Sequence, residues 1–390
     1  MRPVHAVLAA AAAAATLVAG GTSALAAPAV RAAPALSNPG ATSPSLALKV
    51  SAGGDPEVAA IGSHGSLQYY KQVKGKWTHK QLAGQNTAFS GPSLVTGPGG
   101  DAAVAVEGPS HSLLVYVTSG GKWTKLKVAG ANSAYSAPSF AVVASRADIA
   151  ILGKNHSLWY YWLDPITGKW RKHEILGNGR AYSVPSLFVR KSGQADIAVE
   201  GADHTLSYLS ATNPLHWTND VVGPIGTAYS APSLVVVSGG ARTVSQPFIV
   251  VEGPRHELIG FTHGRGWSST LLEGAGWCYS APSLVQNIAD LTRPVEIAFQ
   301  GSSHSVTLLF FNDGTATPGW ENDVIPQATG SVDSAPALFD RAAKPAGEAD
   351  LVLQGTGGTL WYYSAPKPTK GLAPSFTGLK IGGAGSTSGG

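Results

Sequence analysis

Five histidines and four tyrosines recur in a fixed register, and they are the side chains best suited to chemistry. His111, His156, His204, His256 and His304 each stand three residues after a glycine. Tyr135, Tyr182, Tyr229 and Tyr279 each stand three residues before a proline; Phe89 and Asp333 hold the same place at two further prolines. Imidazole donates and accepts hydrogen bonds at once. Tyrosine joins an apolar ring face to a hydroxyl. Side chains of this kind, repeated in a ring, suit stacking against a small polyhydroxy ligand at several places. They equally suit a structural task, with the histidines satisfying backbone groups or nearby carboxylates. Asp148, Asp196 and Asp350 are candidate partners in that second reading.

These residues belong to a repeating frame. Its first anchor is the proline of a Ser-Ala-Pro-Ser-like segment: Pro44, Pro92, Pro138, Pro185, Pro232, Pro282 and Pro336, spaced 46 to 54 residues apart. The second is a turn glycine, from Gly62 to Gly355. The third is a tryptophan, from Trp77 to Trp320, with Phe376 in the seventh place. Each copy contains four runs rich in β-branched and aromatic residues, bounded by Gly, Pro and Ser, which are strand signals. Four strands in about 40–50 residues mark a propeller blade. The expected fold is therefore all-β: a seven-bladed β-propeller with four antiparallel strands per blade. Both faces of each blade meet neighbours, which blurs one-sided alternation.

Loop lengths distinguish the two faces of such a ring. Tryptophan to the next proline is 15 residues in five junctions (77→92, 123→138, 170→185, 217→232, 267→282) and 16 in the sixth (320→336). Proline to glycine varies from 15 (138→153) to 21 (232→253). Strands alternate in direction, so the loops between blades and the turns between second and third strands share one face. That face is uniform and carries both the histidines and the tyrosines. The other is ragged, as unconstrained surface loops are. The expected pairs across blade boundaries are His111 with Tyr135, His156 with Tyr182, His204 with Tyr229 and His256 with Tyr279, with His304 and Asp333 as a degenerate fifth. The tryptophans are expected to pack between blades.

Residues 1–26 read as a secretory signal peptide, with Arg2, an Ala/Leu/Val run and Ala24-Leu25-Ala26 before the cut. Residues 27–40 read as a Pro/Ala-rich linker, 41–383 as the propeller and 384–390 as a flexible tail. Secretion to the extracellular space is the expected localisation, with no membrane association after cleavage. The oligomeric state is open. Charged residues are 13% and the net charge is +4, without a basic cluster, which argues against nucleic acid as a partner. Cys278 is the only cysteine, so no internal disulfide or thiolate zinc site forms. Calcium loops, phosphate loops and nucleophile elbows are absent from the sequence. No cofactor, metal or catalytic residue is assigned.

The frame Ser-Ala-Pro-Ser, then Ala-Asp-Ile-Ala-Val-Glu-Gly-Ala-Asp-His-Thr-Leu-Ser-Tyr at residues 195–208, then Trp217, resembles the bacterial seven-bladed β-propeller lectins of the Photorhabdus lectin type. The resemblance covers about residues 41–383. It implies metal-free sugar sites between adjacent blades and glycans as partners, including fucose-type or methylated sugars. The chain departs from the family in carrying histidine where the turn often has asparagine. Together these features point to a secreted, multivalent, lectin-like carbohydrate-binding protein and not an enzyme. A polysaccharide hydrolase or lyase using the central channel, or a protein-binding propeller without sugar affinity, are the alternatives.

Overall fold

The computed structural model describes residues 46–51, 54–97, 101–143, 146–239, 242–286, 295–312, 319–325, 332–341, 348–365 and 376–387. The expected signal peptide and linker lie outside the described residues. Among the described residues, twenty-eight strands form seven four-stranded antiparallel sheets, each running from inner to outer strand in chain order. Blade 1 is β1 to β4 (Leu46–Val50, Pro56–Gly62, Ser66–Val73, Lys76–Ala83). Blade 2 is β5 to β8 (Ser93–Thr96, Ala102–Gly108, Ser112–Ser119, Lys122–Ala129). Blade 3 is β9 to β12 (Ser139–Val143, Arg146–Leu152, Leu158–Leu163, Trp170–Leu176). Blade 4 is β13 to β16 (Ser186–Val189, Ala195–Glu200, Leu206–Asn213, His216–Gly223). Blade 5 is β17 to β20 (Ser233–Gly239, Arg242–Glu252, Leu258–His263, Trp267–Glu273). Blade 6 is β21 to β24 (Ser283–Gln286, Val295–Gln300, Val306–Asn312, Gly319–Val324). Blade 7 is β25 to β28 (Ala337–Arg341, Glu348–Gly355, Thr359–Ala365, Thr377–Gly382). The seven-bladed propeller read from the repeat is thus the observed fold.

The strand after each proline is innermost. These inner strands neighbour one another round the ring, and β25 returns to β1. Each blade keeps its own four strands, so the ring closes without strand exchange. The second strands form the most buried layer: β6 and β14, for example, are buried at every residue. Apolar clusters span pairs of blades, as where Val104 and Leu114 of blade 2 pack with Ala59 and Tyr69 of blade 1.

Both serines of the Ser-Ala-Pro-Ser segment have defined work. The serine after the proline accepts a hydrogen bond from a backbone N–H of the next inner strand: Phe140 to Ser93, Leu187 to Ser139, Leu234 to Ser186, Leu284 to Ser233 and Leu338 to Ser283, all at 3.0 Å. Inner strands of neighbouring blades diverge and cannot form a full ladder, so a side chain bridges them. The serine before the proline accepts from the residue ahead of the turn glycine, as Glu200 N–H does to Ser183 Oγ at 3.0 Å. Ser186→Ala should therefore leave the Leu234 N–H unpaired and cost about 1–2 kcal/mol. Urea unfolding checks this, and an unchanged midpoint would remove the serine ring from the account of the fold.

The outer tryptophans pack between blades, as expected. Four of them meet a third-strand tyrosine of the preceding blade edge-on: Trp123 with Tyr69 at 4.8 Å, Trp217 with Tyr160 at 5.1 Å, Trp267 with Tyr208 at 4.9 Å, and Trp77 with Tyr362 at 5.0 Å across the seam; Trp320 packs instead on Phe248 and Phe311. The tyrosine hydroxyl donates to a buried second-strand acid, from Tyr69 to Glu57 at 2.7 Å and from Tyr160 to Asp148 at 2.6 Å.

Part of the segment read as a tail belongs to the ring. Gly385 and Thr387 donate backbone hydrogen bonds to Gly357 and Gly358, and Gly385 O accepts from Ser63 of blade 1. Residues 383–387 thereby take the place that the interblade loops fill elsewhere.

Candidate functional site

The uniform face is built from two loops that bind each other. In blade 2 the carbonyl of His111 accepts backbone N–H groups from Ser133 and Ala134 of the loop leading to blade 3, both at 2.8 Å. His156, His204 and His256 repeat the arrangement. The turn itself is a two-residue hairpin with both central residues at positive φ, Ser110 at 56° and His111 at 58°. That backbone matches strand twist, and it favours Gly, Asn, Asp and, among the rest, His. Gly65 in blade 1 and Gly358 in blade 7 take the histidine place, with φ of 67° and 69°. The histidine position is therefore set first by backbone conformation.

The side chains meet where the spacing placed them. His111 stacks on Tyr135 with ring centres 4.1 Å apart, His156 on Tyr182 at 4.3 Å, His204 on Tyr229 at 4.1 Å, and His256 on Tyr279 at 4.2 Å. His304 Nδ1 lies 3.9 Å from Asp333 and accepts no aromatic; its nearer partner is Val332 O at 2.8 Å. One face of each tyrosine is thus covered by imidazole. The tyrosine backbone N–H reaches the next blade, as from Tyr135 to Leu152 O at 2.9 Å.

The carboxylate partners differ from the expected aspartates. His111, His204 and His256 bind Glu107, Glu200 and Glu252 through Nδ1, at 2.7, 2.8 and 2.7 Å. These glutamates sit four residues earlier, just across the hairpin turn. Asp148, Asp196 and Asp350 instead accept from Tyr160, Tyr208 and Tyr362. They lie five residues before the glycine, well down the second strand and away from the turn. In blade 3 the glutamate place is Leu152, and the buried His156 Nδ1 has no hydrogen-bond partner.

Burial raises the carboxyls of Glu107 to about 8 and of Glu252 to about 7, the second held back by His256. A carboxyl with a raised folded-state pKa binds its proton more tightly when folded. The stability this contributes is whole below the ordinary value of 4.5 and is lost as pH rises through about 7 to 8. The melting temperature should therefore fall between about pH 5 and pH 8.5, and Glu107→Gln with Glu252→Gln should flatten that slope. An identical slope in the double variant would show that these carboxyls are not its source.

Beside the rim, at the boundary of blades 2 and 3, lies a cavity of about 310 Å³. Asn132 and Ser133 form one wall, Lys154 and Asn155 another, and Trp159 and Glu174 line its blade 3 side. Asn132 also accepts from the Tyr135 hydroxyl at 2.9 Å, joining the rim to the cavity. Trp159 stands outside the repeating frame because it breaks the pattern. Its signal was available: the sixth residue after the turn glycine changes type from blade to blade. The central channel, about 250 Å³, is lined by residues that open the inner strands, such as Ser93, and by the prolines before them, such as Pro138 and Pro185. Among the described residues no group of three or more His, Cys, Asp or Glu side chains is placed to hold a metal ion.

No protein-family model matches the sequence, and no curated protein matches it. Solved structures do. The BP39L lectin from Burkholderia pseudomallei superposes with a TM-score of 0.73 at 15% identity, over 89% of this chain and 99% of that one. AofleA from Arthrobotrys oligospora gives 0.54 at 14% identity, over 75% and 88%. The Aleuria aurantia lectin, described as a six-bladed β-propeller with a fucose recognition mode, gives 0.53 at 15% identity, over 73% and 95%. At these identities the shared property is the fold: this chain has the propeller architecture found in those lectins.

Proposed function

We propose that this chain is a secreted, multivalent carbohydrate-binding protein whose sites lie at blade boundaries on the uniform face. The cavity between blades 2 and 3 carries the reading. It combines an indole, amides, lysines and a carboxylate in a volume of about 310 Å³. An apolar ring face beside mixed donors and acceptors matches a pyranose, which has a C–H face and hydroxyls around its edge. The His–Tyr stacks form the rim of four such boundaries, with Tyr182 exposed at 38%. His304 and Asp333 stand at a fifth. Sites linked in one rigid ring gain avidity on a surface that presents many copies of a glycan. The lectin names of proteins sharing this fold support the same reading.

A glycan array probed with residues 27–390 tests it. Signal for a related set of sugars is the expected result, and a blank from folded protein would overturn it. Replacing Tyr135, Tyr182, Tyr229 and Tyr279 together by alanine should weaken array binding while the fold persists. Unchanged binding would remove the tyrosines from the site.

A further inference from the structure

The seven boundaries share a backbone but not a chemistry. A bulge follows the turn in six blades, between Leu158 and Trp159 in blade 3 and between Leu360 and Trp361 in blade 7, with counterparts in blades 1, 2, 4 and 5. It re-aims the outer strand beside the sixth residue after the glycine. That sixth residue is buried in four blades, as Gln68, Leu114, Ser207 and Thr307. In blades 3 and 7 it is a half-exposed tryptophan, Trp159 and Trp361.

Both indoles are held in the same way. The Trp159 N–H donates to Ser157 Oγ at 3.0 Å, and the Trp361 N–H to Thr359 Oγ1 at 3.2 Å. Each ring lies against its turn glycine so closely that an added Cβ would sit 2.4 Å from Trp159 Cδ1 at Gly153, and 2.9 Å from Trp361 Cδ1 at Gly355. A lysine accompanies each. Lys172 Nζ lies 4.6 Å from the Trp159 ring centre, and Lys380 stands opposite Trp361 in the strand register.

We propose that glycan binding is concentrated at the two boundaries with a tryptophan floor, at Trp159 and Trp361, and that the ligand is a pyranose stacked on the indole. This rests on the carbohydrate reading above. A fixed indole supplies a flat apolar face, which the buried sixth residues of blades 1, 2, 4 and 6 and the branched, partly buried Ile259 of blade 5 do not offer. Around Trp159, Lys154 and Lys172 donate, Glu174 accepts, and Asn132, Asn155 and Asn178 do both. Hydroxyls, which donate and accept, satisfy such a lining.

Calorimetric titration with methyl glycosides of fucose, galactose, mannose, glucose and glucuronic acid tests this, alongside the array. Wild-type protein should bind one or more of these glycosides at about two sites per chain. Trp159→Ala should halve the number of sites, and Trp159→Ala with Trp361→Ala should abolish binding with an unchanged circular dichroism spectrum. Binding at four to seven equal sites, or a double variant that binds as wild type does, overturns the proposal and leaves the carbohydrate reading standing. A blank for wild-type protein on both array and titration overturns the carbohydrate reading as well. The site count on wild-type protein decides the matter even where a tryptophan variant does not fold.

Discussion

Asp148→Ala is expected to cost the fold about 3 kcal/mol, the low end for breaking a buried ion pair. The carboxylate is fully buried, accepts from Tyr160 at 2.6 Å, and pairs with Arg146 Nε at 2.8 Å. Arg146 also reaches the Tyr160 hydroxyl at 3.2 Å and the Gly193 carbonyl of blade 4 at 2.5 Å. Removing the acid leaves a buried phenol and a guanidinium without their acceptor. Arg146 keeps partial access to water, with 21% of its side chain exposed, so the loss stays near the low end. Asp148→Ala combined with Tyr160→Phe should recover part of the loss, because it removes the stranded hydroxyl as well. Urea denaturation of the single and double variants checks this. A loss under about 1 kcal/mol would mean that the network is replaceable by water.

Gly153→Val should be nearly as damaging, at about 2–3 kcal/mol, by overpacking. Its φ of −92° is open to any residue, so backbone strain is not the reason. The obstacle is contact: a Cβ at Gly153 would lie 2.4 Å from Trp159 Cδ1, 2.5 Å from its Nε1 and 2.7 Å from Ser157 Oγ. The indole would have to leave its place, so the same change should empty the blade 2/3 boundary of its flat floor. Gly177→Val is the control, since an added Cβ there meets nothing within 4 Å. Thermal melts and glycan titration of both variants separate the effects. Equal melting temperatures for the two would show that the close approach is relieved at little cost.

The repeat made the architecture readable because each blade restates it. Proline, glycine and tryptophan recur since each solves a local problem at every boundary: entry to the inner strand, close approach of the sixth residue, and a wedge between blades. The pairing of His111 with Tyr135 was legible from loop parity alone. The glutamate partners were not, because Asp148 and Glu107 look alike in a linear frame, and only the hairpin register brings Glu107 back to the turn. The positive φ of the histidines was legible in principle. Gly65 and Gly358 substitute for histidine, and glycine is the residue that such a backbone favours most. Trp159 escaped notice for the opposite reason: a search for sameness discards the residue that differs, and specificity at a shared backbone resides in the differences.

The seam between blades 7 and 1 has one more consequence. It is held by Trp77 on Tyr362, by Gly385 O on Ser63 N–H, and by packing of Leu48 and Tyr70 with Val352 and Leu360. Contacts of the same kinds join other pairs of blades. Since no blade borrows a strand, the position of the chain ends is interchangeable among the seven boundaries. Circular permutants opened in another interblade loop and joined across the present seam should rebuild the same ring, so a gene encoding this fold can begin at any blade.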